Sequence, residues 1–316
     1  MKRLWVLFLS VLLCGCSAPR YTIVSMMGYD VAEAGYTATA KIDVYDETVY
    51  ISETGALPYD TINKLSLTAD KTVALGEASC NVLSKALAEK GLKEMANSLY
   101  TGSYSRGDDL IVITDGSAAE YLHFHSGAPQ SSAYSVQTSV QKFIQDSISP
   151  SRTALVQYAS GKNALMCAVS GYKLRLILSE KESAGALLFS GNAEGIKSIN
   201  TGDAFVGVEI SAVAPKIEVS KENGEILFSV YPEIGFTVKD MTTGFSDIGL
   251  TFKIETALNS LVSEEIYAAF LRSTSSNVDF LGLKNIYRLH YDDDDFNLSQ
   301  AKMQVFPKSK IIYGGD

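Results

Sequence analysis

Hydrophobic and polar positions change period several times along this chain, and each period predicts an element. Residues 21–27 are β-rich. Over 36–44, Tyr36, Ala38, Ala40 and Ile42 fall on one side, with Thr37, Thr39, Lys41 and Asp43 on the other. That alternation predicts a half-buried strand. Residues 49–52 add a short strand, and 57–67, carrying Pro58 and Asn63, read as irregular. From 76 to 99 apolar residues recur at helical spacing: Val82, Ala86, Leu87, then Leu92, Met95, Ala96 and Leu99. Gly91 interrupts them, leaving two helices or one kinked helix open. Residues 110–114 suit a buried strand. Residues 117–124 form a predicted short helix, with Ser117 as N-cap and Glu120 as its capping-box partner. Val136, Val140, Phe143 and Ile144 mark an amphipathic helix that ends before Pro150, and 148–152 read as a linker.

The second half opens with strands at 154–158, 164–169 and 172–178. A short helix at 184–189 is closed by Gly191, and strands follow at 204–211, 214–220 and 225–238. The Asn223-Gly224 pair between the last two is the strongest hairpin signal in the chain. A long helix over 247–272 carries the stripe Ile254, Leu258, Leu261, Val262, Ile266, Ala269 and Phe270. A helical piece near 279–283, the acidic run 292–295 and a strand near 304–313 complete the pattern. Strands in hairpin-like succession with inserted helices predict an α+β fold, in successive mixed domains with largely antiparallel sheets, rather than a doubly wound parallel sheet.

The first sixteen residues have a different pattern. Lys2 and Arg3 precede an apolar run from Leu4 to Leu13, followed by Cys14-Gly15-Cys16. Such a run is shorter than the roughly 20 residues of a membrane-spanning helix, and its flanks are those of a secretory signal. Leu-x-Gly-Cys resembles the bacterial lipobox, which makes Cys16 the expected site of lipidation and first mature residue; Leu13 is too bulky to precede a cleaved Cys14. The expected organisation is a lipoprotein signal peptide at 1–15, an N-terminal α+β region at 16–150 and a C-terminal α+β domain at 151–316.

Composition narrows the function. The 316 residues are 46% hydrophobic and 20% charged, with a formal net charge of −9. Losing Lys2 and Arg3 with the leader makes the body more acidic still. An acidic body argues against nucleic acid and against adhesion to anionic head groups, so attachment to a membrane falls to the lipid. Cys80 and Cys167 remain after processing, and their separation leaves a disulfide or two buried thiols open.

Candidate chemistry is sparse. His123-Phe124-His125 has alternate spacing but no accompanying cysteine or carboxylate cluster, so no metal is expected. The run 292–295 lacks the glycine and glutamate of a calcium loop. Residues 191–198 carry two glycines and Lys197, but not the glycine directly before lysine that a phosphate loop needs. No nucleophile elbow or zinc-protease motif is present. Neither catalysis nor a cofactor has sequence support.

Several stretches, in a shared order, resemble the Ger(x)C family, the C-subunit lipoproteins of bacterial spore germinant receptors. Val24-Ser25-Met26-Met27-Gly28-Tyr29-Asp30 is similar to the family's strand ending in Gly-Ile-Asp. Gly76-Glu77-Ala78 and Leu87-Ala88-Glu89-Lys90-Gly91-Leu92 resemble its helical region. Arg106, the strand 110–113 and Gly116-Ser117-Ala118-Ala119-Glu120 resemble the family's next arginine, hydrophobic strand and glycine-x-alanine helix. Later come Gly171-Tyr172-Lys173-Leu174, Leu187-Leu188-Phe189-Ser190-Gly191, the long helix with Val278-Asp279-Phe280-Leu281-Gly282-Leu283, and a closing strand from Phe306-Pro307. Departures are Ser17-Ala18-Pro19-Arg20 in place of a Trp-Asp start, a strand missing or compressed between Cys80 and Leu87, Ser273 near the position of a usual glutamine, and Lys284 in place of a common glycine.

The resemblance implies a non-enzymatic, lipid-anchored subunit on the outer face of the spore's inner membrane, acting with membrane-embedded A and B subunits in nutrient-triggered germination. It supplies no catalytic residue, and Cys16 is the one functional residue expected. The alternatives are an extracytoplasmic solute-binding lipoprotein, which would need alternating βα units around a cleft, and a surface hydrolase, which would need a clustered nucleophile and base.

Overall fold

The computed structural model describes residues 22–44, 47–68, 73–74, 78–101, 105, 107–127, 138–148, 152–161, 163–202, 204–222, 224–242, 248–293 and 296–312. The leader, Cys16, Arg106, Asn223 and Asp294-Asp295 lie outside them.

The N-terminal sheet is built from β1 (Thr22–Ala32), β2 (Gly35–Val44), β3 (Glu47–Gly55), β4 (Val73–Ala74), β5 (Cys80–Ser84), β6 (Leu110–Thr114), β7 (Ala154–Ser160), β8 (Asn163–Ser170) and β9 (Lys173–Ile177). Its order is β3-β2-β1-β5-β6-β7-β8-β9, with β4 beside β1. The wings are antiparallel hairpins. The centre, β1-β5-β6-β7, is parallel, a feature that the succession of hairpins does not foretell. The division expected at residue 150 falls ahead of β7, and the sheet runs on through β9.

Helices α1 (Pro58–Thr68), α2 (Lys85–Lys90), α3 (Lys93–Thr101) and α5 (Val140–Ile148) cover one face of this sheet; α4 (Ala118–Phe124) covers the other. Tyr36, Ala38, Ala40 and Ile42 are buried as the alternation predicts. Thr39 and Lys41, on the opposite side, are buried as well. The reason is α4: the Lys41 ammonium donates to the carbonyl of His125 at its end, 2.7 Å away.

Two expectations are overturned here. Residues 57–67 are not irregular. Pro58 occupies the first helical position, where a missing N–H costs nothing, and Ile62 and Leu65 turn into the core. Nor does a helix span 76–99: residues Cys80–Ser84 form β5, followed by α2 and α3. All five β5 residues are buried at the sheet centre, where a strand covered on both faces loses its alternation. The strand expected to be missing between Cys80 and Leu87 is therefore present.

The C-terminal half contains α6 (Glu180–Ser190), β10 (Glu194–Asn200), β11 (Phe205–Ala212), β12 (Lys216–Glu222), β13 (Glu225–Tyr231), β14 (Glu233–Met241), α7 (Ile248–Ser276), α8 (Leu283–Tyr291), β15 (Ala301–Val305) and β16 (Lys308–Ile311). They form a four-stranded sheet, β10-β11-β14-β16, and a three-stranded sheet, β12-β13-β15. The β12–β13 register pairs Glu222 with Glu225, leaving the two-residue turn that the Asn-Gly pair predicts.

The single segments read at 225–238 and 304–313 are each divided by a proline. Pro232 separates β13 from β14, and Pro307 separates β15 from β16. At these two points the chain passes from the three-stranded to the four-stranded sheet. Tyr231 stacks on Phe306 with ring centroids 5.2 Å apart, and Lys308 donates to the Pro232 carbonyl. Proline cannot donate to a ladder, so both strands break there.

Helix α6 begins earlier than the apolar pattern indicates, because Ser179 and Glu182 form a reciprocal capping box. Residues 194–200, part of the glycine-bearing stretch that fails as a phosphate loop, form β10. Helix α6 is buried from Ser183 to Phe189 and packs against α7, whose inward stripe contains Ile254, Leu258, Val262, Ile266, Ala269 and Phe270. Strand β8 joins the two halves. Met166 and Ala168 face the C-terminal core, while Cys167 and Val169 face the N-terminal one.

Candidate functional site

The site residue expected from sequence, Cys16, lies outside the described residues. Within them, three of the stretches that carry the family likeness lie at two helix starts. Gly28-Tyr29-Asp30 ends on β1, directly beneath α4. Asp30 accepts hydrogen bonds from the Ser117 hydroxyl (3.0 Å), the Ala118 N–H (2.9 Å) and the Ala119 N–H (3.0 Å). Ser117 itself caps the Glu120 N–H. Of the predicted capping box only the Ser117 half is present among the described residues; the Asp30 carboxylate, from another strand, satisfies the Ala118 and Ala119 N–H groups that the helix leaves open. Gly28 makes room for this crossing: a Cβ there would lie 2.8 Å from Leu122 Cδ1 and 3.2 Å from the Ala118 backbone.

Asp279 does the same for α8, accepting from the Leu283 and Lys284 N–H groups at 2.8 Å each. Burial raises its carboxyl above the ordinary value, against those backbone bonds. Gly282 precedes the helix at φ +74°, a left-handed conformation that glycine adopts without strain.

The carboxyl ends of the central parallel strands gather a further polar group. Asp115, after β6, accepts a hydrogen bond from the Tyr158 hydroxyl of β7 and pairs with Lys85 at 3.4 Å. These bonds hold the Asp115 carboxyl below its ordinary range. The tyrosine bond is the larger effect, and Tyr158 is correspondingly raised by burial and by the carboxylate.

The remaining candidates make contacts within the fold. His123 packs on Tyr50 and His125 on Tyr121, with ring centroids 3.8 and 4.1 Å apart. Asp292 ends α8 at φ +52°, and Asp293 accepts from the Tyr287 hydroxyl. Cys80 and Cys167 are free, buried thiols on opposite faces of the sheet. Burial pushes the Cys80 thiol up to about 12 and Cys167 higher still, away from the thiolate that reactive cysteines need. Among the described residues, no group of three or more His, Cys, Asp or Glu is placed to hold a metal ion, and no helix is long and apolar enough to cross a membrane.

Known proteins give this geometry its context. Residues 20–160 match the family model described as "Spore germination protein N-terminal domain". Residues 166–315 match "Spore germination B3/ GerAC like, C-terminal". The chain belongs to the Ger(x)C family. The crystal structure of the GerBC protein has the same fold, with a TM-score of 0.63 at 16% identity, covering 91% of this chain and 97% of that one. No curated protein matches the sequence. In this Ger(x)C protein the family-like Asp30 and Asp279 close helices, and the family-like glycines Gly28 and Gly282 permit those closures. The helical piece expected near 279–283 begins only at Leu283, and the capping roles of both aspartates are not visible in the sequence pattern. Each of them lies outside the first helical turn that it serves.

Proposed function

We propose that this chain is the C subunit of a spore germinant receptor, a non-enzymatic lipoprotein tethered through Cys16 to the outer face of the spore's inner membrane. There it acts with membrane-embedded A and B subunits in nutrient-triggered germination. The observation that carries this reading is the succession of two GerAC-type matches along one chain, preceded by Leu13-Cys14-Gly15-Cys16. The full chain has a net charge of −9 and the body without Lys2 and Arg3 is more acidic still, so it has little electrostatic attraction to anionic lipid, and the acyl chains at Cys16 provide the attachment.

Two experiments test the proposal. Cys16→Ser should move the protein from the membrane fraction to the soluble one; continued membrane attachment refutes the tether. Affinity purification of the tagged chain from spore membranes should recover A- and B-type receptor subunits. Their absence, together with normal nutrient germination of a deletion strain, refutes the receptor role.

A further inference from the structure

Four segments of the N-terminal half converge on one concave surface: the start of β2, the turn after β3, the α2–α3 junction and the β8–β9 turn. They line an open cleft of about 540 Å³, a volume within the range of small-molecule sites. Lys90, Lys93 and Lys173 line it, with the Tyr36 ring and Leu57 as apolar wall. Glu94 is the one carboxylate among the lining residues, and it is engaged as acceptor of the Tyr36 hydroxyl.

The backbone that carries these lysines is tied together, and two of the side chains rest against neighbouring residues. The Leu92 N–H donates to the Tyr172 carbonyl at 2.7 Å, tying the α2–α3 junction to the β8–β9 turn. The stem of Lys173 crosses Gly91, where a Cβ would lie 3.7 Å from Lys173 Cε. Lys90 lies 5.6 Å from the centre of the Tyr36 ring, a cation–π contact. Among the described residues, none of the three lysines forms an ion pair with a carboxylate. In a chain of net charge −9, three lysines against the single Glu94 carboxylate give this cleft a local excess of positive charge, which favours a bound anion.

We propose that this cleft binds a small multivalent anion, a phosphate ester or a di- or tricarboxylate, between Lys90, Lys93 and Lys173. Lysine presents a point charge rather than a planar fork, so the site selects for charge and size more than for one carboxylate geometry. The proposal does not rest on the receptor reading.

The test is isothermal titration of the full-length chain, in a neutral detergent, with pyrophosphate and with citrate. Saturable 1:1 binding is expected for at least one of them. The double variant Lys93→Gln/Lys173→Gln should weaken it by about tenfold or more. Lys216→Gln/Lys302→Gln, which alters exposed lysines in the other half, should bind as the parent does. Thermal melts establish that each variant is folded, and the single variant Lys173→Gln provides a milder step. Absence of saturable binding by both anions overturns the proposal, as does equal affinity in the two double variants. Binding to phosphatidylglycerol vesicles that Lys93→Gln/Lys173→Gln abolishes, without binding of either free anion, overturns it in favour of a lipid surface.

Discussion

The carboxylate of Asp30 closes the helix that begins at Ala118, across 88 positions of sequence, at 2.9 Å from the Ala118 N–H. With the Ala119 N–H and the Ser117 hydroxyl it forms three bonds to one carboxylate, which fasten α4 onto β1. Charge-assisted bonds of this kind contribute more than neutral ones. Asp30→Ala should lower the unfolding free energy by about 2 kcal/mol, read from urea denaturation. Asp30→Asn, which keeps one acceptor oxygen, should lose less.

Gly185 marks the closest approach of α6 to α7. A Cβ there would lie 1.9 Å from the Glu265 carbonyl oxygen and 2.4 Å from its carbon. Those are backbone atoms of a long helix and cannot step aside. Gly185→Ala should therefore destabilise by roughly 1–3 kcal/mol, despite alanine's better helix propensity. A melting temperature equal to that of the parent would contradict this packing.

Lys197 of β10 and Glu265 of α7 form an ion pair whose side chains are 13% and 5% exposed. Removing the lysine alone leaves the buried Glu265 charge without its ammonium partner. Lys197→Met should cost about 3 kcal/mol or more, whereas Lys197→Met/Glu265→Leu should recover most of that loss. Guanidinium denaturation of the two variants separates the pair's own contribution from the penalty of removing one partner.

The Asp115–Tyr158 bond gives the protein a defined acid response. The Asp115 carboxyl is held below its ordinary value of 3.8, first by the Tyr158 hydroxyl and further by Lys85. The native state therefore takes up this proton less readily than the unfolded chain. The resulting stability is fully present above the unfolded value and is lost as pH falls through the lower native one. Tyr158→Phe should be less stable than the parent at pH 7, and the difference should shrink on acidification below about pH 4. A difference that stays constant from pH 7 to pH 3 would assign the tyrosine's contribution to packing alone.

The helical stripe of α7, the Asn-Gly hairpin, the capped start of α4 and the buried strand β6 were all legible in the sequence, because each depends on neighbours within one or two turns of chain. Strand β5 was not. Its burial on both faces comes from β1 and β6 alongside it and from helices above and below, and a short run of that kind has no period of its own. Helix α1 was obscured by Pro58, which breaks a helix inside it but suits its first position.

Residue pattern alone was enough for the α+β character and the elements with a clear period. Three-dimensional packing was needed for the parallel centre of the large sheet, the double-faced strand β8, the pairing of Asp30 with α4 and the lysine-lined cleft. Local pattern records which face of an element is apolar, whereas these features depend on which distant segment covers that face. The Asn-Gly turn signal is written in adjacent residues, while Lys90, Lys93 and Lys173 share one cleft only because β8 and β9 fold back beside α2 and α3.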